Sequence, residues 1–366
     1  MSLQPAVRLV AAASLFLTGC AGMGAKPAPQ FDLTQPAASQ AATFISVVNP
    51  KNKGQIGRVA VTSCNLVVAD MAGGVSQTDA GIFGETRGRQ DKKISMYLYL
   101  RGISDEQLQA MTDEACAAAE ASLKSSGFDV VPAAEVQANA HYQKLHEGAK
   151  SPHPFDPPGG EKYKIFMPKG QKMVDMHYLT TGGGLKLAMA AAAGNTPANH
   201  KGRLMDELKA DDVHISLKIN FGAVEGDQKG FLSSIAKKDT AQVKAKTDVV
   251  ITGRIEVVTS KTLQCWNRFG KRECVGNGKH PQFKLKYPIL IPDAVVEVKD
   301  ETTKGDKVGS AISGGLSMLA AMSGSRGTAM SVTRKGVVVD PVKYANGVKR
   351  AAASMAEMVA ASAKGS

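Results

Sequence analysis

Aromatic side chains are scarce, at 5% of the 366 residues with a single tryptophan. A core built from this chain must rest on Val, Ile, Leu, Met and Ala. Acid is also in deficit: 45 Lys and Arg stand against 33 Asp and Glu, a formal charge of +12. Charge of this size bears on association, not on fold: it suits anionic headgroups, wall polymers or acidic proteins, or else is spread over a solvated surface with no dedicated patch. Catalytic motifs are missing. There is no GxSxG elbow, since "SGSRG" at 323–327 has serine where the first glycine belongs. Neither a P-loop nor a GxGxxG follows a strand-like segment. His141, His146, His153, His177, His200, His214 and His280 are scattered. His141 and His146 are five apart, not at the i,i+4 spacing of helical zinc ligands. With no CxxC or Cys/His cluster, the expectation is a protein with no metal, no cofactor and no catalytic residues.

What the chain has begins at its start. Arg8 precedes an apolar run, Leu9–Leu17, far too short for a membrane-spanning helix, which needs about 20 residues. The run ends in Leu17-Thr18-Gly19-Cys20, which resembles the lipobox of bacterial lipoproteins. The resemblance implies a signal peptide over 1–19, cleavage before Cys20 and acylation there, palmitate included. Several acyl chains hold a protein far better than one. The alternative is an ordinary signal with a chance cysteine. Ala21 follows the cysteine, where inner-membrane lipoproteins usually carry Asp, so the resemblance favours the outer membrane with the body facing the periplasm. An exported chain does not normally meet nucleic acid. Residues 20–55, rich in Ala, Pro, Gln, Ser and Gly, read as the lipidated cysteine and a flexible tether.

Four other cysteines stand in an oxidising context, and four cysteines allow three pairings. Cys265 and Cys274 flank "WNRFGKRE" between strand-like segments, so they are expected to staple one hairpin. Cys64 and Cys116 then either pair or remain buried thiols.

The body, 56–345, opens on "IGRVAVTSCNLVVAD", apolar on both faces like a central strand. Insertions are read at 71–93, 149–195 and 309–331. In "SDEQLQAMTDEACAAAEASLKSSG", Ser104 and Gln107 form a capping box and Gly127 ends the helix. A second helix is read in "PAAEVQANAHYQKLHEG". The pair Asp211-Asp212 reads as a solubilised turn before a strand. Pro288 and Pro292 mark an edge strand or a bend between two strands. A C-terminal helix, 341–364, presents Tyr344, Val348, Ala352, Met355 and Val359 on one face. The fold class is α/β (α+β): a mixed central sheet with flanking helices and a C-terminal helix.

Three stretches carry a resemblance: "GRVAVTSCNLVVAD", "DVVITGRIEVV" and "PDAVVEVKDETTKGDKV". They are similar to strands of TolB amino-terminal-like, CsgG-like domains of bacterial lipoproteins. That group implies roles in secretion, envelope assembly or polymer export, and assembly into a homo-oligomer. No pair of alternating strands of about 10 residues suits a membrane barrel, so a ring without a pore stays open.

The strongest positive feature is the finger "CWNRFGKREC". Trp266, Arg268, Phe269, Lys271 and Arg272 have the composition of a binding hot spot, pre-ordered by the expected disulfide. Two readings remain: a contact surface for envelope proteins or anionic envelope polymers, or a charged tip with Trp266 tucked against the sheet. A rival function is regulation or catalysis in cell-wall or polysaccharide metabolism.

Overall fold

The computed structural model describes residues 28–78, 89–145, 150–157, 161–171, 197–226, 241–268, 271–276 and 280–365. Residues 1–19, Cys20 and the apolar stretch 182–195 lie outside them. Strand β2 (Arg58–Gln77) organises the rest, with every residue from Val59 to Ala69 buried. Its first half runs parallel to β7 (Asp211–Asn220), and its second half antiparallel to β3 (Gln90–Arg101). The sheet order is β1 (Ile45–Val48), β13 (Gln282–Leu285), β10 (Val249–Val258), β7, β2, β3, β16 (Gly327–Val339), β15 (Val295–Asp300). Short strands join off this path. β4 (Asp129–Val130) and β6 (Lys162–Phe166) pair with β2, β5 (His153–Phe155) with β6, and β14 (Ile289–Ile291) with β10. β13 and β14 both lie antiparallel to β10, so Pro288 marks a bend between two strands. A separate ribbon pairs β8 (Ala223–Gly226) with β9 (Val243–Lys246). The architecture is α/β, a mixed sheet with helices on it.

Alternation along β2 sends Val59 and Val61 into one core and Ala60 into another. The larger core packs α1 (Ala37–Phe44), α2 (Asp105–Ser125) and the C-terminal helix α7 (Pro341–Lys364). In α2, Ser104 accepts from the Gln107 amide, and the Gln107 side chain accepts from the Ser104 amide. All five expected face residues of α7 are buried. The smaller core lies under α3 (Ala133–Ala138), α4 (Ala140–Lys144) and α5 (Pro197–Leu208), with Tyr142 and Leu204 fully buried. Helix α6 (Lys304–Met322) lies against β16. None of the described helices is long and apolar enough to cross a membrane.

Cys64 and Cys116 are joined, tying β2 to α2 across 52 residues. Closing a loop of that length stabilises by about 4 kcal/mol in the chain-entropy model. Cys265 and Cys274 are joined as well.

Several expectations need correction. The tether cannot run to residue 55, because α1 and β1 fold onto the body. Phe31 and Phe44 stack edge to face at 5.1 Å inside the larger core, and β1 pairs with β13. The insertion at 71–93 shrinks, since β2 continues to Gln77 and β3 begins at Gln90. The insertion at 149–195 contains β5 and β6, and 309–331 is most of α6 plus the start of β16. The single helix after Pro132 is two, because Asn139 leaves helical geometry and caps α4 by accepting from the His141 and Tyr142 amides.

Candidate functional site

The finger is a β-hairpin, β11 (Leu263–Arg268) and β12 (Lys271–Gly276). Cys265 faces Cys274 across it, so the disulfide crosses directly between paired residues. Arg268 and Lys271 form its last backbone pair, and Phe269 lies outside the described residues. Trp266 is 43% exposed, so it is not tucked against the sheet.

The hairpin is docked on α5. Gly202 makes that possible: a Cβ there would sit 2.0 Å from the Cys274 carbonyl oxygen. Arg272 Nε donates to Asp206 Oδ2 at 2.5 Å and its Nη2 to Oδ1 at 3.2 Å. Lys209 adds a third contact at 3.0 Å. These donors, Arg272 first, hold the Asp206 carboxyl down at about 2. Asp206 also lies with the sulfurs of Cys265 and Cys274 within 4.8 Å, the one trio of potential metal ligands among the described residues. With the sulfurs bonded to each other, neither offers the thiolate a metal needs.

Beside the hairpin, His141, Arg203, Asp206, Glu207 and Arg272 line an open cleft of about 290 Å³. His141 Nε2 meets Glu207 Oε1 at 3.2 Å, and its Nδ1 lies 3.1 Å from His200 Nδ1. Asn139 donates to the other Glu207 oxygen at 2.7 Å. Burial, then the charges of His141, Arg203 and Lys144, push His200 below the usual imidazole range, so it favours the neutral form. Both carboxylates of the cleft are therefore engaged. Arg203 is not: its buried Nε has no hydrogen-bond partner. The guanidinium lines the cleft, and a cation there with an N–H short of an acceptor favours an anionic group in it.

Below α5, Asp212 is fully buried and corrects the solubilised-turn reading. It accepts from Thr62 Oγ1, meets His214 Nε2 at 2.8 Å and pairs with Lys201 Nζ at 2.8 Å. Asp211 is buried too, accepting from the Ser260 amide and hydroxyl at 2.6 and 2.7 Å. Removing one partner of such a buried pair costs about 3–5 kcal/mol, so Asp212 pins α5 and positions the cleft.

The structure brings Arg272 and Trp266 of the expected finger onto one hairpin, beside a cleft that sequence reasoning missed. Arg203, Asp206, Glu207 and His200 all come from α5. The available signal was Leu204 and Leu208 four apart behind Pro197. His146 and His177 lie outside the described residues. No family model, no curated protein and no solved structure matches the chain.

Proposed function

We propose that this chain is a non-enzymatic outer-membrane lipoprotein, anchored through Cys20. Its body faces the periplasm and acts in envelope assembly, secretion or surface-polymer export through contacts with acidic partners. The observation that supports this best is the stapled hairpin on α5. It holds an exposed Trp266, and its Arg272 helps line a cleft whose carboxylates are engaged and whose Arg203 Nε has no partner. Trp and Arg on a pre-ordered element lower the entropy cost of binding. The charge of +12 favours an acidic partner. A TolB amino-terminal-like or CsgG-like relationship agrees with the strand motifs and with a mixed sheet.

The test uses the full chain extracted in mild detergent, with its Trp266→Ala and Arg203→Ala variants. Both variants are expected to lose the same acidic envelope component, protein or polymer, while membrane fractionation stays unchanged. Unaltered capture by both defeats the contact-site reading. Cys20→Ala is expected to abolish palmitate labelling and release the chain from membranes; retention of both defeats the anchor. The second reading, an enzyme or regulator of wall or polysaccharide metabolism, draws on the His141–Glu207 pair. It requires a hydrolytic activity on envelope polymers that disappears in Glu207→Gln.

A further inference from the structure

Helix α6 is built inside out. Its sheet-facing side is small and polar. Ser317 is buried, and its carbonyl lies 2.2 Å from where a Cβ on Gly327 would stand. Ser313 Oγ accepts from the Met330 amide and donates to the Met330 carbonyl, both at 3.0 Å. The large apolar side chains point the other way. Val308 and Ile312 are 57% exposed, Met318 60%, Leu316 and Leu319 63%, and Met322 76%. Val308, Ile312, Leu316 and Leu319 follow at steps of four, four and three, one continuous stripe. Six such side chains make a patch on the order of 500 Å², near the top of what a single chain leaves in water.

Charge decides what covers it. Lys304, one turn before Val308, and Lys307 are exposed at the head of the stripe, and Arg326 follows its end. Between Asp306 and Asp340 there is no acidic residue; Arg326 is held by Asp91 and Arg334 by Asp306, which leaves Lys304 and Lys307 as the exposed cations at the head of the stripe. Asp306 itself is occupied by Arg334 at 2.9 Å and by the Thr303 cap. A second copy laid on this face would offer these lysines no acid from its own α6 beyond the occupied Asp306. We infer that α6 is a membrane-docking face: it lies flat on an anionic phospholipid surface, with the apolar stripe in the acyl boundary and the lysines among the headgroups. This face is independent of the Cys20 anchor and would hold the body against the bilayer by a second attachment.

The test uses the full chain carrying Cys20→Ser, so that no lipid anchor contributes, and vesicles of phosphatidylethanolamine with phosphatidylglycerol, or of phosphatidylcholine alone. Co-sedimentation at low salt is expected on the anionic vesicles. The triple variant Leu316→Ser, Leu319→Ser, Met322→Ser is expected to lose roughly 100-fold in partitioning. Lys304→Gln with Lys307→Gln is expected to lose roughly tenfold on anionic vesicles and nothing on neutral ones. Val296→Ser, an exposed apolar site off the helix, serves as the control and is expected to change nothing. Thermal melts confirm that each variant is folded. Absence of vesicle binding, or binding indifferent to the triple variant, overturns the proposal. So does a dimer in light scattering that the triple variant dissolves without vesicles, which would assign the face to a second copy.

Discussion

Helices α6 and α7 lie on the same sheet, and both carry apolar side chains at helical spacing, yet they use them in opposite ways. In α7, Asp340 caps the start, Pro341 occupies the first turn, and eleven residues are buried, Met355 and Met358 completely. In α6, Thr303 and Asp306 form a full capping box, and Ser317 alone is buried. Local signals therefore make both helices and say nothing about which face turns inward. That is settled by what the sheet offers. Under α7 lie Ile251, Ile289 and Ile291 of the larger core, whereas under α6 the backbone of β16 comes so close at Gly327 that an added Cβ would strike the Ser317 carbonyl.

The largest effect should come from placing one charge in each helix. Val348→Asp puts a carboxylate at a fully buried position of α7 with no partner. A cost above about 4 kcal/mol is expected, enough to leave the chain largely unfolded. Leu319→Asp in α6 replaces a side chain 63% exposed, and denaturant melts should move by no more than about 0.5 kcal/mol. Equal destabilisation by the two would show that α6 buries its stripe within the chain.

A smaller contrast is pH-dependent. Glu120 lies on α2, where burial raises its carboxyl to about 7 from the usual 4.5. A raised acid is destabilising once ionised. Its penalty is absent below about pH 4.5, grows as pH rises toward 7 and is complete above that, reaching ~3 kcal/mol at most. Glu120→Gln should therefore raise the melting temperature at pH 8 and leave it unchanged at pH 4.5. A gain of the same size at both values would mean that the carboxyl is not desolvated. The one acid of α6, Asp306, is held low by Arg334 and the Thr303 cap and should give no comparable rise.

These contrasts also mark what can be read from the chain directly. The capping box at Ser104 and the period of α7 are local, and local pattern suffices for them. So does the direct pairing of Cys265 with Cys274, nine residues apart. Phe31 and Phe44 were diluted by the Ala, Gln and Pro around them, although two phenylalanines in a supposed tether are themselves a core signal. The cleft left no local trace. His141 and His200 meet across 59 residues, and the buried Asp212 finds Lys201 on α5 and Thr62 on β2. A pair of adjacent acids looks the same in sequence whether it faces water or a lysine. The exposed stripe of α6 was legible as apolar, but its direction depends on the backbone of β16.

The finest comparison uses glycine. A helix-interior glycine costs about 1 kcal/mol relative to alanine, a gain that a clash with the added methyl can outweigh. At Gly347 of α7 the clash is visible: a Cβ would lie 2.3 Å from Ile291 Cγ2. Gly347→Ala gains the propensity but overpacks a filled core, and a net loss of about 1–2 kcal/mol is expected. Around Gly315 of α6, nothing of the chain lies within 4 Å of the added methyl. Gly315→Ala should therefore gain about 0.5–1 kcal/mol in solution, a rise of roughly 2 °C in melting temperature. Measured together, the two substitutions should have opposite signs. A loss at Gly315 would mean that something seats against the outer face of α6 even in the absence of lipid, and the helix would then need an occupant from the chain itself or from a second copy.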